Sequence, residues 1–203
     1  MSDPSSQRNE PSGHEPPEIP EPEQRLSVVM VEGPHPALLD PDQLLDSCDL
    51  RTQRRSGPGG QHRNKTSSGV FLHHAPTNTI AEATERRSQA DNRRIALERL
   101  RLRLAIEVRS PSPMDQRKIP PQEQELRTRF QGHPLKLNDR NVDKPAVLAL
   151  LLNDLHVAGG QPSALGPVWK TSTSSIVRLI KSCPAAFAFL NQIRQHHERL
   201  PLR

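Results

Sequence analysis

The residues best equipped for chemistry sit in one string, Arg55-Ser56-Gly57-Pro58-Gly59-Gly60-Gln61-His62-Arg63-Asn64-Lys65-Thr66. Two readings come from residue types alone. A phosphate-binding loop needs G-x-x-x-x-G-K-[ST], but counting from Gly59 the second glycine is replaced by Asn64, ahead of Lys65-Thr66. Without that glycine the phosphate-cradling backbone path is not expected, and no strand carrying the acidic partner is evident. The other reading is a surface turn of an RNA-binding unit, whose Arg and Lys side chains hold phosphate. His62 has the right place for a base, against the commoner role of a structural or RNA-contacting histidine. A second Gly-Gly-Gln, Gly159-Gly160-Gln161, follows a leucine-rich stretch where glycine is the expected helix terminator, so it reads as a cap. His73-His74 alternate across a strand and His196-His197 sit about 100° apart on a helix, so neither pair reads as a metal site. No metal and no cofactor is expected.

The elements that must position the string can be read on both sides of it. Asp40-Pro41 is an N-cap followed by proline at the first helical position. Asp49–Arg54 reads as a strand, Gly69–Ala75 as another, Pro76-Thr77-Asn78 as a turn and Thr79–Thr84 as the hairpin partner. Ser88 caps a long helix running to about Val108, which Ser110-Pro111-Ser112-Pro113 stops. Leu97, Leu100, Leu104 and Val108 cluster on one face of that helix, and Ile95, Leu102 and Ile106 on nearly the opposite face. One stripe suffices to dock on a sheet. Two require cover on both sides, expected from residues 26–48 or from the C-terminal part. The run Leu26 to Val31 has no assigned state.

Beyond a Pro-rich linker at 110–121 the pattern is helical: Glu123–Phe130, Pro145–Val157, Ser172–Lys181 and Pro184–Glu198. Short turns there resemble helix-turn-helix units. Trp169 reads as a core residue, and Lys170, Arg178 and Lys181 as a basic face. The expected fold class is α+β: a small sheet on one long helix with a projecting Gly-Gly-Gln loop, then a small all-α C-terminal domain. The divisions are 1–25, 26–109, 110–121 and 122–203, the first a disordered acidic tail with six prolines.

Charge is placed unevenly along the 203 residues, whose formal net charge is +5. Residues 1–50 carry two basic and eleven acidic side chains, whereas residues 51–109 carry thirteen basic and five acidic. A cationic body suits a polyanionic partner, against the alternative of a solvated surface. With 33% hydrophobic and 2% aromatic residues, the chain is too poor in apolar material to bury all of itself in one core. No stretch approaches the roughly 18 consecutive apolar residues of a membrane span, so no membrane partner is expected. Two cysteines exclude a disulfide scaffold and fit a reducing cytosol, so a cytoplasmic location is expected; a monomer is expected as well.

The whole string, with Val70, the Pro76-Thr77 turn and Arg86/Arg87-Ser88-Gln89-x-x-Asn92-Arg93 downstream, resembles the catalytic domain of class I peptide chain release factors and their ribosome-rescue relatives. The similarity covers about residues 49–108. It implies ribosome-dependent hydrolysis of the peptidyl-tRNA ester, in termination or, in view of the layout, in rescue of stalled ribosomes. Two features depart from the pattern: no codon-reading domain is recognisable, and a folded helical unit stands where small rescue factors carry a basic tail.

The resemblance makes Gly59, Gly60 and Gln61 catalytic. Glycines allow backbone to approach a substrate in torsions that a Cβ resists, and an N–H aimed at a developing oxyanion is worth about 10²–10³ in rate. Arg55, Arg63, Asn64, Lys65, Arg86, Arg87, Gln89, Asn92 and Arg93 become RNA contacts, with large-subunit rRNA and peptidyl-tRNA as partners. A non-catalytic ribosome-binding protein on the same scaffold is the alternative.

Overall fold

The computed structural model describes residues 18–54, 68–115 and 117–203. Asp40 accepts hydrogen bonds from the Asp42 and Gln43 amides, both at 3.0 Å, and with Pro41 starts helix α1, Pro41–Asp46. Three antiparallel strands follow: β2 (Cys48–Gln53), β3 (Gly69–His74) and β4 (Thr79–Ala83), in the order β2-β3-β4. The β3–β4 connection turns on Asn78, whose φ of 54° is a left-handed conformation that asparagine tolerates. Alternation sets the faces: Val70, Leu72 and His74 of β3 and Thr79, Ala81 and Ala83 of β4 point inward.

That inner face is covered by helix α2, Gln89–Glu107, capped by Ser88, whose hydroxyl accepts from the Asp91 amide at 3.2 Å. Leu97, Leu100, Leu104 and Val108 join Leu44, Val70, Leu72, Ala81 and Ala83 in one core. The helix ends at Glu107, because Val108–Arg109 leaves it as strand β5 and pairs in parallel with β1, Val29–Met30. The unassigned Leu26–Val31 run thus contains a strand.

The second stripe of α2 is also covered. Leu102 and Ile106 pack on a second core built around helix α4, Lys144–Val157, while Ile95 packs with the first core, which includes Leu39, Leu44 and Leu45 of the 26–48 segment as well as the sheet. Ala105, Ala149 and Ala37 meet where α2, α4 and the preceding segment touch; small side chains allow that approach. Helix α4 is buried on nearly every side, as a helix that is apolar all round must be. Around it stand α3 (Pro121–Phe130), the single turn α5 (Gly166–Trp169), α6 (Thr173–Lys181) and α7 (Pro184–His196). The fold is α+β, small sheets on a long helix followed by a helical C-terminal region.

Residues 18–25 pack on the helical region, contrary to the expectation of disorder for that stretch. Pro20 lies against Gly159, the Glu18 carbonyl accepts from Gln161 Nε2 at 3.0 Å, and Arg25 pairs with Asp115 at 2.7 Å. These contacts supply the partners that composition alone cannot reveal. The Pro-rich connection to α3 is packed as well: Ser110 and Ser112 are buried, and Asn153 of α4 bonds both the Ser110 amide and its hydroxyl.

Candidate functional site

The string expected to be catalytic, with Arg55, Gly59, Gly60, Gln61, Arg63, Asn64 and Lys65, lies outside the described residues. Its two stems are described. Gln53 at the end of β2 is register partner to Gly69 at the start of β3, so the segment between them leaves and re-enters the sheet at one end. A Cβ on Gly69 would lie 3.1 Å from the Gln53 carbonyl and 3.1 Å from Thr84 Cγ2, so glycine here lets the stems close.

The start of α2 holds the returning stem. Asn92 is fully buried, and both polar atoms of its amide are bonded to the chain's own backbone. Its Oδ1 accepts from the Arg86 amide at 2.9 Å, while Nδ2 donates to the Ser68 carbonyl at 2.6 Å and the Arg86 carbonyl at 2.9 Å. This corrects the reading of Asn92 as an RNA contact. Both amide protons are used and the whole side chain is buried, so it ties the loop exit and the β4–α2 turn to the helix rather than facing a nucleic acid. Nothing in the sequence distinguishes Asn92 from its exposed neighbours except its spacing from Ser88, which puts it on the inward side.

Arg86, Arg87, Gln89 and Arg93 are exposed around that same helix end. The carboxylate nearest them in sequence, Glu85, is committed elsewhere. It accepts from the Thr84 amide at 2.8 Å and pairs with Arg99 at 2.5 Å. The Thr84 amide first, and Arg99 with it, hold its carboxyl below the usual carboxylate range. Among the described residues, none of Arg86, Arg87 and Arg93 is in an ion pair, so three cations stand near the loop stem against one exposed carboxylate in the same helical turn, Asp91. Such a cluster can bind phosphate oxygens.

The histidines of the sheet do not converge on that stem. His73 contacts Asp49 and Asn78, and His74 turns inward to Thr77 Oγ1 at 2.7 Å. Burial, and then Asp49, pushes the Cys48 thiol up to about 11, which makes it a poor nucleophile at neutral pH. Among the described residues no three His, Cys, Asp or Glu side chains group as a metal site. No helix among them is long and apolar enough to cross a membrane.

The second Gly-Gly-Gln behaves as its context predicts. The Gly160 amide donates to the Leu155 carbonyl at 2.8 Å and the Gly159 amide to that of His156 at 3.3 Å, a Schellman termination of α4. Both glycines have positive φ, 58° and 73°.

A buried polar network that the residue pattern did not reveal fixes the helical region. Asp154 accepts from Arg127 at 2.6 and 2.9 Å, from Trp169 Nε1 at 2.6 Å and from Ser112 Oγ at 2.7 Å. Trp169 is fully buried, as expected of a core residue.

Comparison with known proteins matches residues 44–134 to the RF-1 domain. That range runs from α1 through the sheet and α2 to just past α3, and so includes the loop and both stems. Peptide chain release factor 1 of Lactiplantibacillus plantarum is 46% identical over 74 residues, 36% of this chain and 21% of the relative. The mitochondrial peptide chain release factor 1 of Bos taurus is 42% identical over 94 residues, 45% of this chain and 20% of the relative. Peptide chain release factor 2 of an Acidovorax species is 48% identical over 62 residues, 30% and 17% of the two chains. The chain spans about a fifth of the length of these relatives. Its resemblance is to class I release factors through one domain.

Proposed function

We propose that this chain acts on the ribosome to hydrolyse the ester joining a nascent peptide to tRNA, in termination or in rescue of stalled complexes. One observation carries the reading: Gly59-Gly60-Gln61 occurs between the paired stem residues Gln53 and Gly69, within the segment similar to the RF-1 domain. In the reaction a water oxygen adds to the ester carbonyl, the bond to the ribose oxygen breaks, and a proton passes to that oxygen. Gly59 and Gly60 permit close approach, and the Gln61 backbone N–H faces the developing oxyanion. The Gln61 side chain orients water and excludes larger nucleophiles. Proton transfer belongs to the ribosomal centre and the tRNA ribose, since the string contains no committed base.

Arg55, Arg63 and Lys65, with Arg86, Arg87, Gln89 and Arg93, hold rRNA or tRNA backbone; Asn64 shapes the turn between them; and Asn92 positions the stem. We place the protein in the cytoplasm as a monomer, with residues up to 109 forming the catalytic unit and those from 122 a helical domain. The test is peptide release from purified ribosomes, programmed with and without a stop codon, comparing wild type with Gly60→Ala and Gln61→Ala. Lost release at retained ribosome affinity supports the reading. Equal release by Gln61→Ala and wild type refutes it and leaves a non-catalytic ribosome binder.

A further inference from the structure

The helical region beyond residue 134 lies outside the RF-1 match, yet it presents a face with a definite chemistry. A 3₁₀ segment, Pro162–Leu165, runs straight into α5, and a three-residue turn, Lys170-Thr171-Ser172, leads to α6. Lys170 makes the turn in a left-handed conformation, φ 48°, and Ser172 caps α6 by accepting from the Ser175 amide at 3.2 Å. The unit is helix, tight turn, helix.

Helix α6 divides cleanly. Ile176, Leu179 and Ile180 enter the core, and Ser175 is used inward, its hydroxyl accepting from the Leu135 amide at 3.0 Å. The outward arc, about 140° wide at roughly 100° per residue, carries Thr173, Ser174, Val177, Arg178 and Lys181. Thr173, Ser174 and Arg178 are exposed, as is Lys170 at the turn. Lys181 donates to the Arg203 carbonyl and stacks on Phe187, so it is partly engaged within the chain. Among the described residues neither Lys170 nor Arg178 is in an ion pair, and the carboxylates before this unit, Asp139 and Asp143, are taken by Lys144 and Arg129.

The sequence that carries this face is one-sided in charge. Residues 155–203 carry six basic side chains and one carboxylate, Glu198. Hydroxyls bracketed by unpaired cations, on a helix that follows a tight turn, suit a polyanion whose backbone offers both phosphate and hydroxyl groups.

We propose that the face formed by Lys170, Thr173, Ser174 and Arg178 is a second RNA-binding surface, separate from the catalytic loop. Lys170 and Arg178 contact phosphates, and the Thr173 and Ser174 hydroxyls contact phosphate or ribose 2′-hydroxyl oxygens. The choice of RNA rests on the proposed ribosomal function; the polyanionic character of the partner rests on the face alone.

The test is binding of the full-length protein to a fluorescent RNA hairpin, to the same hairpin in DNA, and to poly-glutamate, over a salt series. The comparison is wild type with Lys170→Ala/Arg178→Ala, and with Ser174→Glu as an independent variant. All three positions are exposed, so thermal unfolding should match wild type. Removing two phosphate contacts should lower the salt slope by about 2 and make the loss of affinity between about 50 and about 200 mM salt roughly 16-fold shallower. Ser174→Glu should weaken RNA binding at every salt concentration. An unchanged slope in the double variant overturns the proposal. So does binding of DNA or poly-glutamate as tight as that of RNA with the same dependence on these residues. Peptide release by Gln61 variants is a separate readout, so failure here and failure of the catalytic reading are distinguishable.

Discussion

Asn92 provides the sharpest test of how the loop is held. Replacing it with alanine removes three hydrogen bonds, at 2.9, 2.6 and 2.9 Å, and leaves the Ser68 and Arg86 carbonyls and the Arg86 amide without protein partners. At a net contribution of about 1 kcal/mol each, the expected loss is about 3 kcal/mol. For a chain of this size that corresponds to a fall in Tm of roughly 6–12 °C. Asn92→Asp keeps the shape but turns a carboxylate oxygen toward two carbonyls, so it should cost more than alanine at neutral pH. Acidification should recover part of that loss, because the protonated acid can again donate one bond. Urea unfolding at two pH values measures both effects, and ribosome assays should show lower release at saturation with affinity little changed. Arg93→Ala, one residue on and exposed, should do the reverse: unchanged Tm and weaker RNA binding with a salt slope reduced by about 1. The reasoning fails if Asn92→Asp is as stable as wild type at neutral pH, or if Arg93→Ala destabilises more than Asn92→Ala.

The helical region is expected to be intolerant of a broken ion pair: Asp154→Ala strands the buried Arg127 guanidinium and should cost about 3–5 kcal/mol, while Arg127→Met/Asp154→Leu should cost less than the single change; equal stabilities by urea unfolding would contradict this. His35 should make stability fall with acid. Its Nδ1 accepts from the Ala37 amide at 3.1 Å, so Nε2 carries the proton toward the Val108 carbonyl at 3.0 Å, and burial, then Arg109, depresses its pKa to about 3 from 6.5. A depressed histidine contributes fully above 6.5 and loses that contribution as pH falls toward about 3, by up to about 1.4 kcal/mol per pH unit; unfolding of His35→Gln between about pH 7.5 and about pH 5 should show a shallower decline than wild type, and identical slopes would refute it. The two Gly-Gly-Gln sites should separate completely. Gly160→Ala, whose Cβ would meet Arg194 Cγ at 2.6 Å at a φ of 73°, should cost at least about 2 kcal/mol with Gly59-Gly60-Gln61 untouched, whereas on the proposed function Gly60→Ala should abolish release at unchanged Tm.

What the residues disclose and what they withhold follows from range. The β3–β4 hairpin, the Asp40 and Ser88 caps and the Gly159-Gly160 termination are local, since each depends on residues within a few positions, and each is found where turn and cap chemistry puts it. The two stripes of α2 were legible too, because helical period is local; which core each residue of the second stripe joins was not, since Leu102 and Ile106 pack with the helical region and Ile95 with the core that contains Leu44. The parallel pairing of Val29–Met30 with Val108–Arg109 joins segments far apart in sequence, which no local pattern encodes. The same holds for the Asp154 network and for the ordering of residues 18–25 against α4 and α7. Asn92 was misread for a related reason: amides on an arginine-rich helix end look alike until one is seen to face the chain itself.

Helix α2 therefore has two tasks that its sequence shows as two stripes. Its first turn fixes the loop stem through Asn92, and its sheet-side leucines hold the strands that carry both stems. Its opposite side, through Leu102, Ala105 and Ile106, rests on α4. Arg109, fully buried, reaches from the end of β5 to the Ala105 and Ile106 carbonyls and lies 4.9 Å over the ring of Phe189 on α7. Tight packing transmits displacement because interiors have few voids to absorb it. The helical region is thus part of the support of the loop stems, and the surface it offers through α6 is connected to those stems by the packing of α4 against α2.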